Sequence, residues 1–300
     1  MLRPLSLALP AVLLLALPAG AQQRTTGDRD LDWRGRVRDG DWVRVFSHKG
    51  EIRVMPGSGD EVEVHGVARG SSAERERVTF EVIEREDGVT ICAHDERQRC
   101  EEDGLESVGR GWSGRDRSAN VILTVRLPRG VHVNAASGNG DVHVERAGGD
   151  VRASSGNGSV EVLGAAGSVQ ASSGNGAVTV DQAHGGVRAS SGNGRVRVST
   201  SQGPVRASSG NGSVEVRMAS IAGTEDMQFS SGNGRVVVYL PDDFDGELDL
   251  TTGHGEAYTD FPVTVRGRLQ KSRIQGTVGS GRGPRVRLTS GNGDVEVRKM

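Results

Sequence analysis

Guanidinium side chains recur at one position of a repeated segment. Arg152, Arg188 and Arg206 hold this position, and Gln170 holds it in the remaining copy, so that successive members are 18 residues apart. A guanidinium offers several N–H donors in a planar fork that matches carboxylate, phosphate and sulfate oxygens. Such a row is typical of a strip that binds an anionic glycan or another envelope polymer. The same arginines could instead extend into water and cover an apolar surface with their stems, and the sequence leaves both interpretations open.

Catalytic chemistry is not indicated by the residues that accompany this row. A second row of hydroxyl groups comprises Ser154, Ser172, Ser190 and Ser208. Activating a serine requires a base within hydrogen-bond reach, and His143, His184 and His254 fall at different phases of the repeat. No carboxylate stands beside the arginines in register. The sequence therefore predicts a non-catalytic protein, with a polysaccharide-active β-helix enzyme as the alternative.

The glycine-rich turns do not match a metal or cofactor site. Seven copies of Ser-Gly-Asn-Gly begin at Ser137, Ser155, Ser173, Ser191, Ser209, Ser231 and Ser290. The residues that follow them are Asp141, Ser159, Ala177, Arg195, Ser213, Arg235 and Asp294. A calcium ladder would need carboxylates at most of these positions, and a phosphate-binding loop would need a Lys-Ser/Thr pair before a helix. We expect no metal and no cofactor, and glycines that serve corners with positive φ.

The asparagines of these turns form a third row. In a stacked structure their amides can hydrogen-bond from one coil to the next, as in other Asn ladders. This structural ladder is expected at Asn139, Asn157, Asn175, Asn193, Asn211 and Asn233. Arg282, in a later Ser-Gly-Arg-Gly, is expected to take the place of an asparagine.

Alternating valines indicate how these rows are positioned. In the unit from Gly149, the apolar positions are Val151, Ala153, Val160 and Val162, which is the period of a strand with one buried face. One coil of 18 residues buries too little apolar surface to fold alone, so the coils must stack. The predicted fold is all-β: a single-stranded β-helix, or β-solenoid, with a strand-rich N-terminal cap. The crossover rule favours a right-handed coil.

The chain divides into four predicted segments. Residues 1–21 have a basic start, an apolar run and a small-residue cleavage site, which predicts a signal peptide and an exported protein in the periplasm, at the cell surface or secreted. Residues 22–40 read as a polar linker and 41–130 as the N-terminal β cap. Residues 131–300 form the repeat region, with irregular C-terminal coils. The sequence has no second apolar run long enough to cross a membrane, so we expect no integral membrane segment.

Both cysteines lie in the cap, at Cys92 and Cys100. An even number in an exported protein favours a disulfide, and free thiols are the main alternative. The bond would close the base of a charged excursion over residues 93–119. Trp112, within this excursion, is the aromatic residue best placed for an exposed contact.

Composition limits the partners. The net charge is −2 and no basic run resembles a nucleic-acid-binding arm, so we expect no nucleic acid. Protein partners are not indicated.

A series of motifs resembles a bacterial β-helical family over roughly residues 41–300. In chain order these motifs are Gly50-Glu-Ile-Arg-Val, Val125-Arg-Leu-Pro-Arg-Gly-Val, Ser137-Gly-Asn-Gly-Asp-Val, Gly246-Glu-Leu-Asp-Leu-Thr-Thr-Gly and Gly276-Thr-Val-Gly-Ser-Gly. Members of that family are described as candidate adhesins of otherwise unknown function. The resemblance implies a single-stranded β-helix, no known enzyme activity and no agreed ligand. It favours an adhesin-like or envelope-associated module that presents a surface, or alternatively a purely structural periplasmic scaffold.

Overall fold

A computed structural model describes residues 22–26, 30–107, 119–200, 202–265 and 270–300, with backbone only for 22–26. The expected signal peptide, residues 1–21, and Trp112 lie outside these ranges.

Short strands dominate the described residues, as the alternating valines predict. The cap and its excursion contain β1 (Gln22–Thr26), β2 (Leu31–Arg36), β3 (Trp42–Pro56), β4 (Glu61–Arg69), α1 (Ser72–Arg75), β5 (Thr79–Arg85), β6 (Gly88–His94), β7 (Gln98–Glu101), β8 (Gly104–Ser107) and β9 (Asn120–Leu127). The regular coils contain β10 (His132–Asn139), β11 (Val142–Ala147), β12 (Val151–Ser155), β13 (Val160–Ala165), β14 (Val169–Ser173), β15 (Val178–Ala183), β16 (Val187–Ser191), β17 (Val196–Thr200), β18 (Val205–Ser209) and β19 (Val214–Met218). The C-terminal part contains β20 (Met227–Asn233), β21 (Val236–Leu240), β22 (Gly246–His254), β23 (Ala257–Thr259), β24 (Thr264–Val265), β25 (Arg273–Val278), β26 (Arg285–Asn292) and β27 (Val295–Lys299).

Each regular coil contributes one strand to each of two parallel sheets. Sheet A runs β3, β10, β12, β14, β16, β18, β20, and sheet B runs β3, β11, β13, β15, β17, β19, β21. The register advances by one repeat, so that Val151 pairs with Val169 and Val160 with Val178. This long stack of in-register parallel strands is the expected solenoid arrangement. Its handedness stays a prediction.

The core between the sheets is thin and built from small residues. Val151, Ala153, Val160 and Val162 are each at most 2% exposed, and the same positions repeat in the following coils. Phe229 takes the place of Ala207 in the next coil of sheet A, and both side chains are buried. The stack therefore accommodates larger side chains toward its C-terminal end.

The spatial order of coils departs from chain order at both ends. Strand β3 lies between β6 and β10 in sheet A and between β9 and β11 in sheet B. Strands β26 and β27 lie between the coil of β20 and β21 and the coil of β22 and β23. The stack is thus not a simple succession of coils along the sequence.

Antiparallel strands cover the ends of the stack. At the N-terminal end, β5 pairs with β6 and β4 with β9, and β1 and β2 add to them. At the C-terminal end, β25 pairs with β22. These pairings give the outermost parallel strands of sheet A hydrogen-bonded neighbours, which protects edges that could otherwise pair with other chains.

These pairings correct two expected boundaries. Residues 22–40 are not a free linker, because β2 is hydrogen-bonded to β4 and carries the buried Leu31 and Trp33. Stacking does not begin at residue 131 either, because β3, β6 and β9 already form parallel coils. The polar face of β2 concealed the first feature, and periodicity does not show which strands pair, which concealed the second.

The repeated Gly residues serve close approach and not positive φ. A Cβ on Gly156 or Gly158 would lie 2.4 or 2.3 Å from a carbonyl oxygen of the preceding coil. Neither residue has positive φ; in the last copy only Gly293 does. The expectation that these corners need positive φ is therefore wrong for the regular coils. Glycine is required because the turns stack directly on one another.

Candidate anion-binding groove

The expected arginine row lies on the outer face of sheet A. Because the strands pair in register, equivalent residues stand side by side about 4.8 Å apart. In spatial order the row reads Arg44, Asn134, Arg152, Gln170, Arg188, Arg206, Gln228, Arg287 and Asp249. The structure therefore brings the three expected arginines into one line.

Two arginines of this row have carboxylate partners. Arg44 is buried and forms a bidentate ion pair with Asp87, which lowers the pKa of the Asp87 carboxyl chiefly through the hydrogen bond. Arg287 donates from Nε to Asp249 Oδ2 at 3.1 Å. Each charge is balanced locally.

Arg152 is held in a different way. Its guanidinium carbon lies 4.4 Å above the centre of the Trp42 ring, a cation–π geometry. The Trp42 ring in turn contacts the His132 ring, with centroids 5.0 Å apart. The three arginines of the row are therefore not equivalent in the structure. Sequence spacing could not reveal this contact, because Trp42 reaches Arg152 across the intervening coil of His132.

Arg188 and Arg206 are exposed, and within the described part of the chain neither has an ion pair, hydrogen bond or ring contact. They are direct neighbours on β16 and β18. Two like charges about 5 Å apart repel by roughly 1 kcal/mol in water. A bound anion would remove this repulsion.

A shallow groove runs along the same face. Its lining includes the three arginines, Gln170, and residues of the corners that precede these strands, namely Ser168, Gly186 and Pro204. Asp150 and Glu225 also line it, although neither is in register with the arginines. The Asp150 carboxylate accepts a hydrogen bond from the Ser168 N–H at 2.8 Å. Glu225 is exposed and forms no ion pair of 4.0 Å or less with the described arginines.

Arginines on the outer face of sheet B have a carboxylate partner. Arg197 contacts Glu215 at 3.4 Å, and Arg217 contacts the same carboxylate at 3.1 Å. Glu215 has a lowered pKa, because hydrogen bonds and the positive charges of these arginines together outweigh the raising effect of burial. Sheet A is thus the face on which two neighbouring arginines, Arg188 and Arg206, have no carboxylate partner among the described residues.

The asparagine ladder forms a continuous chain of side-chain hydrogen bonds at one corner of the stack. Each Nδ2 donates to the Oδ1 of the preceding asparagine at 2.6–2.8 Å, along Asn139, Asn157, Asn175, Asn193, Asn211, Asn233 and Asn292. The register places Lys49 beside Asn139 and His254 beside Asn292. Sequence reasoning missed Asn292 although its Ser-Gly-Asn-Gly copy was visible, since chain order does not reveal that its coil follows that of Asn233.

Arg282 does not occupy a ladder position. Its backbone N–H donates to the Asp245 carboxylate at 3.0 Å, as do the N–H and hydroxyl of Ser280. The turn wraps this carboxylate and does not form a corner of the stack. These hydrogen bonds, above all that of the Ser280 hydroxyl, lower the pKa of Asp245 to about 2.

Comparison with known families matches residues 43–298 to the family described as Toastrack DUF4097. The chain belongs to the Toastrack DUF4097 family.

Solved structures of low identity accompany this match. A candidate adhesin from Bacteroides fragilis NCTC 9343 is 9% identical, covers 91% of this chain and 98% of its own, and has a TM-score of 0.46. A candidate cell adhesion protein from Clostridium sporogenes ATCC 15579 is 10% identical over 91% and 100% of the two chains, with a TM-score of 0.31. A candidate adhesin from Parabacteroides distasonis ATCC 8503 is 13% identical over 91% and 98%, with a TM-score of 0.30. Comparison with curated proteins finds no match.

In this Toastrack chain the cysteines form a disulfide between β6 and β7, with Cα atoms 5.9 Å apart. The bond packs against Phe46 and Leu105 on the outer face of sheet A. It spans Cys92 to Cys100 only, and the β7–β8 hairpin continues to Ser107. The expectation that the disulfide closes the base of the whole excursion is therefore wrong. The bond instead fixes the start of the hairpin over Phe46.

Among the described residues, no group of three or more His, Cys, Asp or Glu is arranged to hold a metal ion. In the same ranges, no helix has the length and hydropathy needed to cross a membrane.

Proposed function

We propose that this protein is an exported, non-catalytic module that presents a surface in the manner of an adhesin or envelope-associated protein, with the sheet A groove as its binding face. The observation that supports this is the contrast between the two sheets. Arg188 and Arg206 have no partner among the described residues, whereas Arg197 and Arg217 of sheet B share Glu215. The adhesin descriptions of the similar structures fit this role.

The partner we propose is an anionic glycan or another acidic envelope polymer. A repeating polymer can lie along a groove in which equivalent residues recur every coil, so several weak contacts act together. Electrostatic attraction of this kind is screened by salt. Binding should therefore weaken as salt rises.

A polymer-binding measurement tests this proposal. Residues 22–300 should be retained on an immobilised acidic polysaccharide at low ionic strength and released by salt. The double variant Arg188→Gln and Arg206→Gln should abolish retention while leaving the melting curve intact. The control Arg34→Gln and Arg36→Gln removes the same charge from exposed positions of β2, outside the groove, and should retain binding. An unretained parent protein would contradict the proposal and favour a structural scaffold.

Export is tested separately. The protein recovered from the periplasm or medium should begin at Gln22, as N-terminal sequencing would show. Recovery of an uncleaved chain from the cytoplasm would contradict the export proposal.

A further inference from the structure

We infer that Arg188 and Arg206 form a clamp for a single tetrahedral oxyanion, a sulfate or phosphate monoester carried on a polymer. This inference rests on the proposed function and narrows its ligand class. It arises from the pairing of these two arginines and from what surrounds them.

The first step is their isolation within the row. Each of the other three arginines in the row has a contact partner. These contacts are Arg44 with Asp87, Arg287 with Asp249, and Arg152 with the Trp42 ring. The neighbours of the pair in register are Gln170 on one side and Gln228 on the other. Among the arginines of the row, those without any contact partner are therefore confined to two adjacent strands, and Arg152, whose charge the Trp42 ring does not neutralise, lies two coils from Arg188.

The second step is geometry. Arg188 and Arg206 pair in register on parallel strands, so their side chains leave the same face one coil apart. The residues around them in sequence, Val187, Ala189, Val205 and Ala207, are buried. This alternation fixes the direction in which both arginine side chains leave the sheet.

The third step is the number of oxygens that two guanidinium groups can share. A carboxylate has two coplanar oxygens, and one guanidinium fork satisfies both. A carboxylate between two arginines gives each of them only one oxygen, as Glu215 does for Arg197 and Arg217, so neither guanidinium has a full fork. A sulfate or phosphate monoester has three free oxygens that point in different directions, so two forks can each engage the same anion.

The fourth step concerns Glu225, which lines the groove from the loop after β19. This loop lies in the coil that is four residues longer than the regular 18. A carboxylate there repels a second anion placed beside Arg206. The clamp therefore takes one charged group at a time, and the rest of the polymer lies over Gln170 and toward Arg152.

The experiment compares three polymers that share one backbone: dextran sulfate, dextran phosphate and carboxymethyl dextran, matched in length and degree of substitution. Affinities for residues 22–300 are measured by biolayer interferometry at low salt. We expect the preferred ester polymer to bind at least about tenfold more tightly than the carboxylate polymer, because charge-assisted bonds form from both arginines. The sulfate and phosphate arms identify which ester is the ligand.

The variant that tests the clamp keeps the charge and removes the forks. Arg188→Lys with Arg206→Lys should bind all three polymers with affinities within about threefold of one another, since an ammonium is a point charge without the planar fork. The control Arg34→Lys with Arg36→Lys should keep the parent preference.

The outcomes separate the two levels of the proposal. Equal affinity of the parent protein for ester and carboxylate polymers overturns the clamp but supports the proposed function. A preference that persists in the double lysine variant also overturns the clamp. Failure of the folded parent to bind any of the three polymers overturns both.

Discussion

The hydroxyl of Ser191 donates a hydrogen bond of 2.7 Å to the carbonyl oxygen of Gly176 in the preceding coil. Both partners belong to the Ser-Gly-Asn-Gly corner, and the equivalent bond recurs from Ser155, Ser173 and Ser209. The serine is 6% exposed. Each corner is therefore joined to its neighbour by a side-chain bond as well as by the backbone ladder.

We expect Ser191→Ala to lower the free energy of unfolding by about 1–2 kcal/mol, because it leaves a carbonyl at a tight corner without its partner. Urea titration measures the change. The adjacent Ser190 is exposed on the outer face of sheet A, so Ser190→Ala should cost less than about 0.5 kcal/mol. Equal costs would mean that the corner bond contributes little.

The asparagine ladder predicts a smaller effect. Asn193 donates to Asn175 and accepts from Asn211, both at 2.7 Å, and the row is exposed. Asn193→Ala should destabilise by about 1 kcal/mol, since water can replace part of the lost bonds. Arg197→Ala removes an exposed ion pair in the same coil and should cost less than about 0.5 kcal/mol. Indistinguishable urea midpoints for the two variants would argue against a stabilising ladder.

Gly192→Ala should be among the most damaging single-methyl changes. The added Cβ would lie 2.4 Å from the carbonyl oxygen of Gly174, so two coils would have to separate. We expect a loss of about 3 kcal/mol or more, at or above the usual range for overpacking. Gly186→Ala is the matched control, because its Cβ would meet no atom closer than 3.5 Å. A thermal melt of Gly192→Ala within a few degrees of the parent would contradict the close stacking.

The lowered pKa of Asp245 predicts that the stability of the fold depends on pH through the turn at the C-terminal end. Its pKa is lowered from 3.8 to about 2 by hydrogen bonds, first from the Ser280 hydroxyl. A carboxyl with a lowered folded-state pKa stabilises the fold above its ordinary pKa, and this contribution is lost as pH falls from 3.8 toward 2. Ser280→Ala should thus be less stable than the parent near neutral pH, and the difference should narrow across that interval. Denaturant titrations from pH 6 to pH 2 measure it; a constant difference would show that the hydroxyl acts only by packing.

The disulfide should stabilise the protein by shortening a loop in the unfolded chain. The bonded cysteines are 8 residues apart, a length for which chain entropy predicts about 2–3 kcal/mol. Cys92→Ala with Cys100→Ala should lower stability by up to that amount. The parent protein should show no alkylatable thiol without reductant. Two reactive thiols in the exported material would contradict the bond.

The periodic part of the fold follows from the sequence because the repeat fixes phase. Val151 and Val169 are identical in type and 18 residues apart, so their pairing is implied once coils are known to stack. The arginine and asparagine rows follow by the same reasoning. The position of a residue within the repeat, however, predicts only which residues align. It does not predict which two coils are neighbours in the stack.

The features that the sequence did not reveal depend on that second question. Asn292 joins the ladder because β26 pairs with β20, a contact between segments 59 residues apart. Trp42 restrains Arg152 because β3 stacks on β10. The burial of Leu31 and Trp33 was not predicted, because they alternate with the exposed polar residues of β2. Each depends on long-range packing that leaves no periodic signal.

The placement of β26 and β27 between two earlier coils has a consequence for biosynthesis. The coil formed by β22 and β23 has no parallel neighbour to pair with until residues 285–299 have been made and inserted. A chain interrupted before that point would leave the coil of β20 and β21 with unpaired strand edges, which are templates for aggregation. Completion of the stack therefore requires residues 285–299, and a chain that lacks them is marked by its own exposed backbone.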